Sequence, residues 1–209
     1  MKSINKSLLA VAVAGTLGMG SVSVMAADGV TGNVALVSNY MWRGVTQSPT
    51  DQPTMQGGMD YSKGDFSFGT WGSSLDTAGT EIDFYGAYSF GPVSVGAIYY
   101  YYPGATSFYE ANVSGNAGPV ALKASYSPDY FGTTEYYVEA GYSMEMSKGV
   151  NLDLHAGYGT SYLDTSGNAA LDYSLGVSGS AGGLGLAAVY AYSNSTEEGK
   201  AFVSVSKSM

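Results

Sequence analysis

Apolar and polar residues alternate with a period of two along almost the whole chain, and this feature constrains the fold most. In the segment 150–158, for example, Leu152 and Leu154 alternate with Asp153 and His155. Successive side chains of a β-strand point to opposite faces, so each such segment predicts a strand with one apolar and one polar face. An all-β fold follows.

Segments of this kind cover the chain after its N-terminal stretch and predict about twelve strands. Each is close to the 9–11 residues that a tilted strand needs to cross a bilayer. They are placed at 33–45, 54–62, 65–75, 80–90, 93–102, 107–117, 120–127, 134–144, 150–158, 169–180, 184–193 and 200–209.

The predicted connections alternate between short turns and longer polar loops. The short turns are Lys63-Gly64, Gly91-Pro92, Gly118-Pro119, Ser147-Lys148-Gly149 and Gly182-Gly183. The longer loops are 46–53, 76–79, 103–106, 128–133, 159–168 and 194–199. Short turns at one end and long loops at the other are typical of an outer-membrane barrel. We therefore expect a transmembrane antiparallel β-barrel with both termini at the short-turn, periplasmic end.

Aromatic residues mark the ends of the predicted strands on their apolar face, as expected where rings sit at the membrane–water interface. The predicted girdle near the long loops contains Tyr40, Trp42, Tyr99, Tyr101, Tyr109, Tyr126, Tyr136, Tyr158, Tyr173, Tyr190 and Tyr192. The girdle near the short turns contains Tyr61, Phe66, Tyr88, Phe90 and Tyr142. A secreted β-sandwich is the alternative, but its core strands would carry Val, Ile and Phe and its solvated face would carry more Lys.

The N-terminus has the features of a cleaved signal peptide. Lys2 and Lys6 precede an uncharged apolar stretch, and Val24-Met25-Ala26 offers small residues for cleavage after Ala26. We therefore assign residues 1–26 to a signal peptide and 27–209 to the barrel. An uncleaved membrane anchor is the alternative, although the stretch is rich in Gly, Ser and Thr.

Charge and composition exclude several functions. Without Lys2 and Lys6, six basic residues would face 17 acidic ones, giving a net charge of −11, so binding of nucleic acid is not expected. The chain has no cysteine, which excludes disulfides and cysteine-based metal sites. We expect no metal or cofactor.

The polar face of the strands is predicted to line a water-filled lumen. Its acids are Asp60, Glu81, Asp83, Glu110, Glu135, Glu139, Asp153 and Asp172, and its basic residues are Arg43 and Lys123, with His155 as the single histidine. A tunnel lined mainly by acids concentrates cations. The sequence therefore predicts a passive channel for small solutes that favours cations.

A plugged, structural or adhesive barrel is the first alternative. Inward aromatic side chains occupy space in a barrel of this size, and Arg43 and Lys123 could tie a blocking network. The predicted inward rings are Trp71, Tyr85, Tyr100, Tyr102, Phe108 and Tyr137.

A barrel enzyme acting on lipid or glycan ranks last. The carboxylate pairs Glu81 with Asp83 and Glu135 with Glu139 follow from alternation alone, and a lumenal His155 would not reach lipid. A turn centred on Ser147 would place His155 directly opposite Glu139 on the inner face. We do not expect an enzyme.

Several sequence blocks resemble the TorF family of porins. They are Val37-Ser38-Asn39-Tyr40-Met41-Trp42-Arg43-Gly44-Val45-Thr46-Gln47-Ser48, Pro53-Thr54-Met55-Gln56-Gly57-Gly58-Met59-Asp60-Tyr61, Gly69-Thr70-Trp71-Gly72-Ser73, Glu81-Ile82-Asp83-Phe84-Tyr85-Gly86 and Tyr101-Tyr102-Pro103-Gly104. Tyr109-Glu110 and Leu154-His155-Ala156-Gly157-Tyr158 fit less specifically.

The resemblance implies a channel role in the outer membrane of a proteobacterium and names no substrate. Expected partners are outer-membrane lipid and lipopolysaccharide, periplasmic chaperones, the barrel-assembly machinery, and small solutes or cations. The chain departs from outer-membrane barrels at its last residue, where Met209 replaces the usual Phe or Trp.

Overall fold

The structure is a computed structural model that describes residues 28–48, 50–75, 79–160 and 169–209. The predicted signal peptide at 1–26 lies outside the described residues. No helix that is long and apolar enough to span a membrane is found in these ranges.

All regular elements of the described chain are β-strands. Their bounds are β1 Gly29–Val37, β2 Met41–Trp42, β3 Val45–Thr46, β4 Thr54–Lys63, β5 Phe66–Ser74, β6 Thr80–Phe90, β7 Val93–Tyr101, β8 Phe108–Ala117, β9 Val120–Tyr130, β10 Thr133–Ser147, β11 Val150–Gly159, β12 Ala170–Ala181, β13 Leu184–Ser193 and β14 Glu198–Ser208.

Twelve of these strands form one closed antiparallel barrel, as the alternation predicts. From β4 to β14 each strand pairs with the next along the chain, β1 pairs with β4, and β1 also pairs with β14 to close the seam. The seam runs from Val37 opposite Ser204 to Asn33 opposite Ser208, and Gly32 and Met209 extend it with two backbone hydrogen bonds of 3.0 and 2.8 Å. The last residue therefore takes part in closing the wall.

The two faces of the wall are the reverse of those in a soluble protein. On β11 the charged Asp153 and His155 are buried, whereas Leu154 and Tyr158 are 39% and 53% exposed. The apolar side chains thus point outward and the polar ones inward along the same strand. This arrangement excludes the β-sandwich alternative, in which the apolar face would form the core.

Most short turns lie where the sequence predicts them, at one end of the barrel. We call this the turn end and the opposite one the loop end. Each two-residue connection needs a residue with positive φ, and glycine provides it, as at Gly91 (φ 65°) and Gly118 (φ 62°).

One predicted long loop at the opposite end is also a tight turn. The region 128–133 is mostly strand, because β9 continues to Tyr130 and only Phe131 and Gly132 turn the chain, both with positive φ.

The predicted strand 33–45 is wrong in its second half. Strand β1 ends at Val37, directly opposite Thr54 of β4, and residues 38–53 leave the wall. They carry the small β2–β3 hairpin, in which Met41 pairs with Thr46 and Trp42 with Val45. The chain can turn inward here because β1 and β4 have completed their pairing before Ser38.

Exposed aromatic rings pair across neighbouring strands at both ends of the barrel. At the loop end Tyr99 lies opposite Tyr109, and Tyr126 lies opposite Tyr136. At the turn end the cross-strand pairs are Phe66 with Tyr88 and Tyr61 with Phe68. The prediction is wrong for Tyr40 and Trp42, which the infolded segment takes inside the barrel.

Candidate functional site: the barrel interior

The structure places every predicted lumenal side chain inside the barrel. Nine of them are strand residues that are at most 8% exposed: Glu81, Asp83, Glu110, Lys123, Glu135, Glu139, Asp153, His155 and Asp172. Asp60 faces inward but is less buried, and its carboxylate accepts a 2.7 Å hydrogen bond from the Tyr85 hydroxyl. Arg43 reaches the interior from the infolded segment and not from a wall strand. That these residues line a conducting pore remains a prediction.

The segment 38–53, which we call the inner loop, is described by the structure at 38–48 and 50–53, and it carries Tyr40, Met41 and Arg43 into the barrel interior. The Trp42 ring packs against Tyr100, Phe108 and Tyr130, at centroid distances of 6.0 to 6.4 Å. The neighbouring Met41 packs in a different cluster with Val189, Ala191 and Phe202.

The rings that Trp42 contacts lie on β7 to β9, and the cluster around Met41 lies on β13 and β14, about halfway around the barrel. The inner loop therefore spans the lumen from wall to wall.

Arg43 ties the inner loop to the barrel wall. Its two terminal nitrogens each donate a 2.9 Å hydrogen bond to one carboxylate oxygen of Glu110, and both side chains are almost fully buried. Its guanidinium carbon also lies 4.0 Å from the Tyr137 ring centroid and 4.6 Å from that of Trp42. Two parallel charged hydrogen bonds with stacking on a ring are an arrangement that arginine can make and lysine cannot.

Gly44 brings the inner loop into direct contact with the wall on the other side. Its φ is +75°, and a Cβ at this position would lie 2.7 Å from the Asp172 Cβ and the Tyr192 carbonyl oxygen and 2.9 Å from the Ser193 Cβ. Only glycine therefore fits here. This role of Gly44 was not predicted from the sequence, although a glycine directly after four large residues in Tyr40-Met41-Trp42-Arg43 is a signal for a close backbone approach.

Polar contacts also hold the inner loop near the loop end. Thr46 donates a 2.6 Å hydrogen bond to the Asn39 side chain, which in turn donates a 2.8 Å bond to Asp51. The Lys200 ammonium of β14 lies 3.2 Å from Asp51. Backbone hydrogen bonds also join the loop to the wall, from Ser38 to Val203, and to itself, from Gln47 to Tyr40 and from Asp51 to Ser48.

A second charged network lies on β9 to β12. The Lys123 ammonium is 3.4 Å from Glu139, and His155 is close to two acids, with Nδ1 3.8 Å from Glu139 and Nε2 3.0 Å from Asp172. The Tyr137 hydroxyl donates a 2.7 Å hydrogen bond to Asp172. Glu139 and Asp172 thus have basic side chains beside them, whereas Glu135 and Asp153 on the same strands accept hydrogen bonds from the hydroxyl groups of Thr160 and Ser143.

The predicted register of His155 is wrong by two residues. Its Cα partner is Gly141, and Glu139 lies opposite Gly157 instead. The register shifts between Glu145 and Ser147, where β10 carries one residue more than its partner. Because the slip is an even number, Glu139 stays on the same face as a diagonal neighbour. The closer partner, Asp172, comes from β12.

A third group of charges lies on β6 and has no basic partner. Within the part of the chain that the structure describes, no Lys, Arg or His forms an ion pair with Glu81 or Asp83. The Tyr102 hydroxyl donates a 3.0 Å hydrogen bond to Glu81. Metal binding by three or more His, Asp or Glu side chains finds no support in the described ranges. The interior thus has an acidic group on β6 without a basic partner among the described residues, and we call this the unmatched acidic side.

Comparison with known proteins gives a family and a fold. A family model described as "Bacterial protein of unknown function (Gcw_chp)" matches residues 23–209. None of the curated protein sequences compared with the chain matches it.

Among solved structures, the barrel is similar to one described as "KdgM porin", with a TM-score of 0.58, 10% identity, and coverage of 85% of this chain and 98% of that chain. It is also similar to "NanC porin structure in rhombohedral crystal form", with a TM-score of 0.52, 8% identity, and coverage of 85% and 98%. At such identities the likeness shows the fold alone, which is that of a porin-type outer-membrane barrel.

Proposed function

We propose that this chain, which belongs to the Gcw_chp family of bacterial proteins, is an outer-membrane channel that passes small solutes passively and favours cations. The observation that carries the proposal is the inverted wall: an apolar outer face encloses an interior lined by charged side chains. Charged side chains are costly to bury unless they have partners or meet water. A closed barrel with a polar lumen is the arrangement of known porins.

The outer surface supports a location in the membrane. Large apolar side chains such as Met55, Met59, Phe84 and Leu175 are more than half exposed. Exposed apolar area of this extent requires a partner, and in a closed strand barrel that partner is lipid. The porin-type fold favours the bacterial outer membrane. We further propose lipopolysaccharide, periplasmic chaperones and the barrel-assembly machinery as partners, and membership of the TorF porins on the motif residues.

The inner loop gives this channel a constriction. It crosses between β7–β9 and β13–β14, so a solute must pass beside it. The surrounding wall carries eight acids against Lys123, and Arg43 is already paired with Glu110. An acidic passage with few free cations favours positively charged solutes.

Excising the inner loop tests the proposal. Val37 and Thr54 are already Cα partners, so a two-residue Asn-Gly turn can replace residues 38–53 without changing any wall strand. In planar bilayers we expect a small single-channel conductance for the native protein and a several-fold larger one for the excised variant.

The matched control shortens a connection that does not cross the lumen. Ser193 and Glu198 are also Cα partners, so Asn-Gly can replace residues 194–197. We expect this variant to conduct like the native protein. If neither the native nor the loop-excised barrel conducts, the channel proposal is wrong.

A plugged structural barrel is the second candidate. It is favoured by the depth of the inner loop contacts, because Tyr40, Met41 and Arg43 are each at most 6% exposed. The same recordings separate the two functions: a native protein without conductance, together with a conducting excised variant, identifies the inner loop as a plug.

A further inference from the structure

The unmatched acidic side of the lumen has the features of a ligand site. On β6, Asp83 is 8% exposed, and its Oδ1 atom has no hydrogen-bond partner among the residues that the structure describes. A buried carboxylate oxygen without a donor is costly, and in native proteins such an atom requires an explanation. Glu81, two residues along the same face, receives its hydrogen bond from Tyr102.

Aromatic rings flank this carboxylate on both neighbouring strands. The Cα partners of Asp83 are Trp71 on β5 and Tyr100 on β7. Directly paired residues have their Cβ atoms about 4.5–5.5 Å apart on one face, so Asp83 projects into the lumen between the two rings. Tyr40 of the inner loop packs edge-on against Trp71, with the centroids 5.6 Å apart.

Some of the aromatic rings near Asp83 are partly exposed. Trp71, Tyr85 and Tyr102 all point inward, yet each is only partly buried. A ligand can therefore approach across these rings toward Asp83. Ring faces attract cations, and carboxylates accept N–H donors.

We infer that Asp83 and Glu81, with Trp71 and Tyr40, form a binding site for a small organic cation that carries N–H donors, such as a primary ammonium or guanidinium group. The ammonium would donate to Asp83 Oδ1 and rest against Trp71, supplying both the donor and the positive charge that the described residues lack there. The site identifies a class of solute for the proposed channel. It rests on the proposed function, because a solute can reach Asp83 only if the lumen is open.

The surrounding charges agree with this choice. Glu110 on β8, an acid whose charge acts on Asp83, is itself paired with Arg43 by two hydrogen bonds. Lys123 and His155 lie with Glu139 and Asp172 on β9 to β12. An anionic solute would meet Glu81 and Asp83 without a compensating cation from the described residues. The site thus rejects acids and accepts bases.

Equilibrium binding in detergent micelles tests this assignment without requiring conductance. The probe is butylammonium, and 1-butanol is its neutral counterpart of similar shape. By calorimetry at constant ionic strength we expect saturable binding of butylammonium and none of 1-butanol. Asp83→Asn should weaken butylammonium binding about tenfold or more, because a hydrogen bond to a charged group is lost.

The control variant is Glu198→Gln. It removes one negative charge from β14, four strands away from β6 around the barrel, so we expect its affinity for butylammonium to match the native protein. Heat-modifiable migration on gels shows that each variant is folded.

Three outcomes would overturn the inference: equal binding of 1-butanol, displacement of butylammonium by equimolar KCl, or native affinity in Asp83→Asn. Absence of any butylammonium binding, as expected if a proton were shared between the two carboxylates, would also overturn it. A barrel that conducts without binding butylammonium refutes only this site. One that binds butylammonium without conducting refutes only the channel.

Discussion

At the residue scale, the position of the inner loop depends on a glycine that touches the wall. A side chain at Gly44 would overlap Asp172, Tyr192 and Ser193, and its φ of +75° is unfavourable for other residues. The atoms in the way are the Cβ atoms of Asp172 and Ser193 and the Tyr192 carbonyl oxygen, which can move only with the backbone of β12 and β13. The small β2–β3 hairpin can move more easily than the strands of the closed barrel.

We therefore expect Gly44→Ala to displace the hairpin from the wall. The readout is Trp42 emission in a Trp71→Phe background, since the chain has two tryptophans, and it should shift to longer wavelength as Trp42 meets water. Gly64→Ala is the control, because its φ is +58° but nothing lies within 4 Å of the new Cβ. It should cost about 1 kcal/mol and leave Trp42 emission unchanged. A shift of equal size in both variants would contradict the contact.

Arg43 and Glu110 give a second prediction at this scale. Arg43→Met leaves the buried Glu110 carboxylate without its charged partner, a change that typically costs about 3–5 kcal/mol. The inner loop can leave the lumen to relieve this cost, so the readout is protease cleavage within 38–53. We expect faster cleavage in Arg43→Met and partial recovery in Arg43→Met with Glu110→Gln.

The exposed ion pair between Lys200 and Asp51 provides the control for Arg43. Its side chains are 29% and 58% exposed, and such pairs contribute about 1 kcal/mol or less. Lys200→Met should leave the cleavage rate near that of the native protein. Cleavage as fast as in Arg43→Met would show that the exposed Lys200–Asp51 pair, and not the buried Arg43–Glu110 pair, holds the inner loop in place.

At the scale of elements, each wall strand separates water from lipid by alternation. On β8, Asn112 faces inward and is partly buried, and the next residue, Val113, faces outward and is 44% exposed. Residues that are adjacent in sequence should therefore face water and lipid alternately. This follows from the pleat of the strand and holds only if the barrel lies in a membrane.

Single cysteines test this alternation cleanly because the native chain has none. In outer membranes we expect Asn112→Cys to react with a water-soluble maleimide and Val113→Cys to react at least about tenfold more slowly, since thiolates form poorly in lipid. Detergent-denatured samples, in which both sites should react alike, are the control. Fast labelling at position 113 in the membrane would reject the lipid-facing surface.

At the scale of the whole molecule, the interior is acidic and the outer face is apolar. Eight acids and the bases Arg43, Lys123 and His155 lie inside, so the field along the lumen is negative. A low-dielectric wall strengthens this field, whereas salt screens it.

We expect the reversal potential under a KCl gradient to lie on the potassium side. The preference should diminish near 1 M salt, where the screening length falls to about 3 Å. Recordings at low and high salt on the same channel provide the internal control. A reversal potential on the chloride side would reject cation preference while leaving the channel itself intact.

Local periodicity alone determined the barrel and the two faces of its wall. Strand alternation is a property of neighbouring residues, so Asp153, His155 and Asp172 could be assigned to the interior without knowing their partners. Turn chemistry was equally local, since Gly91 and Gly118 provide positive φ where a two-residue turn needs it.

Only the tertiary structure decided what the residues after Val37 contact. Tyr40 and Trp42 continue the alternation and carry rings suited to a membrane interface, but rings of the lumen offer them similar contacts. Arg43 finds Glu110, 67 residues away in the chain, and Met41 finds Phe202. A pattern of neighbours contains no information on such distant partners.

Register between strands was likewise decided by the fold. The turn at Lys148 and Gly149 places Ser147 opposite Val150, and one additional residue between Glu145 and Ser147 then leaves Gly141, and not Glu139, opposite His155. The pairing of β11 with β12 places Asp172 beside the same histidine. The length of the connection between these two strands does not determine their register. Period two determines which face a side chain occupies, but its height along the barrel depends on pairings that only the closed sheet selects.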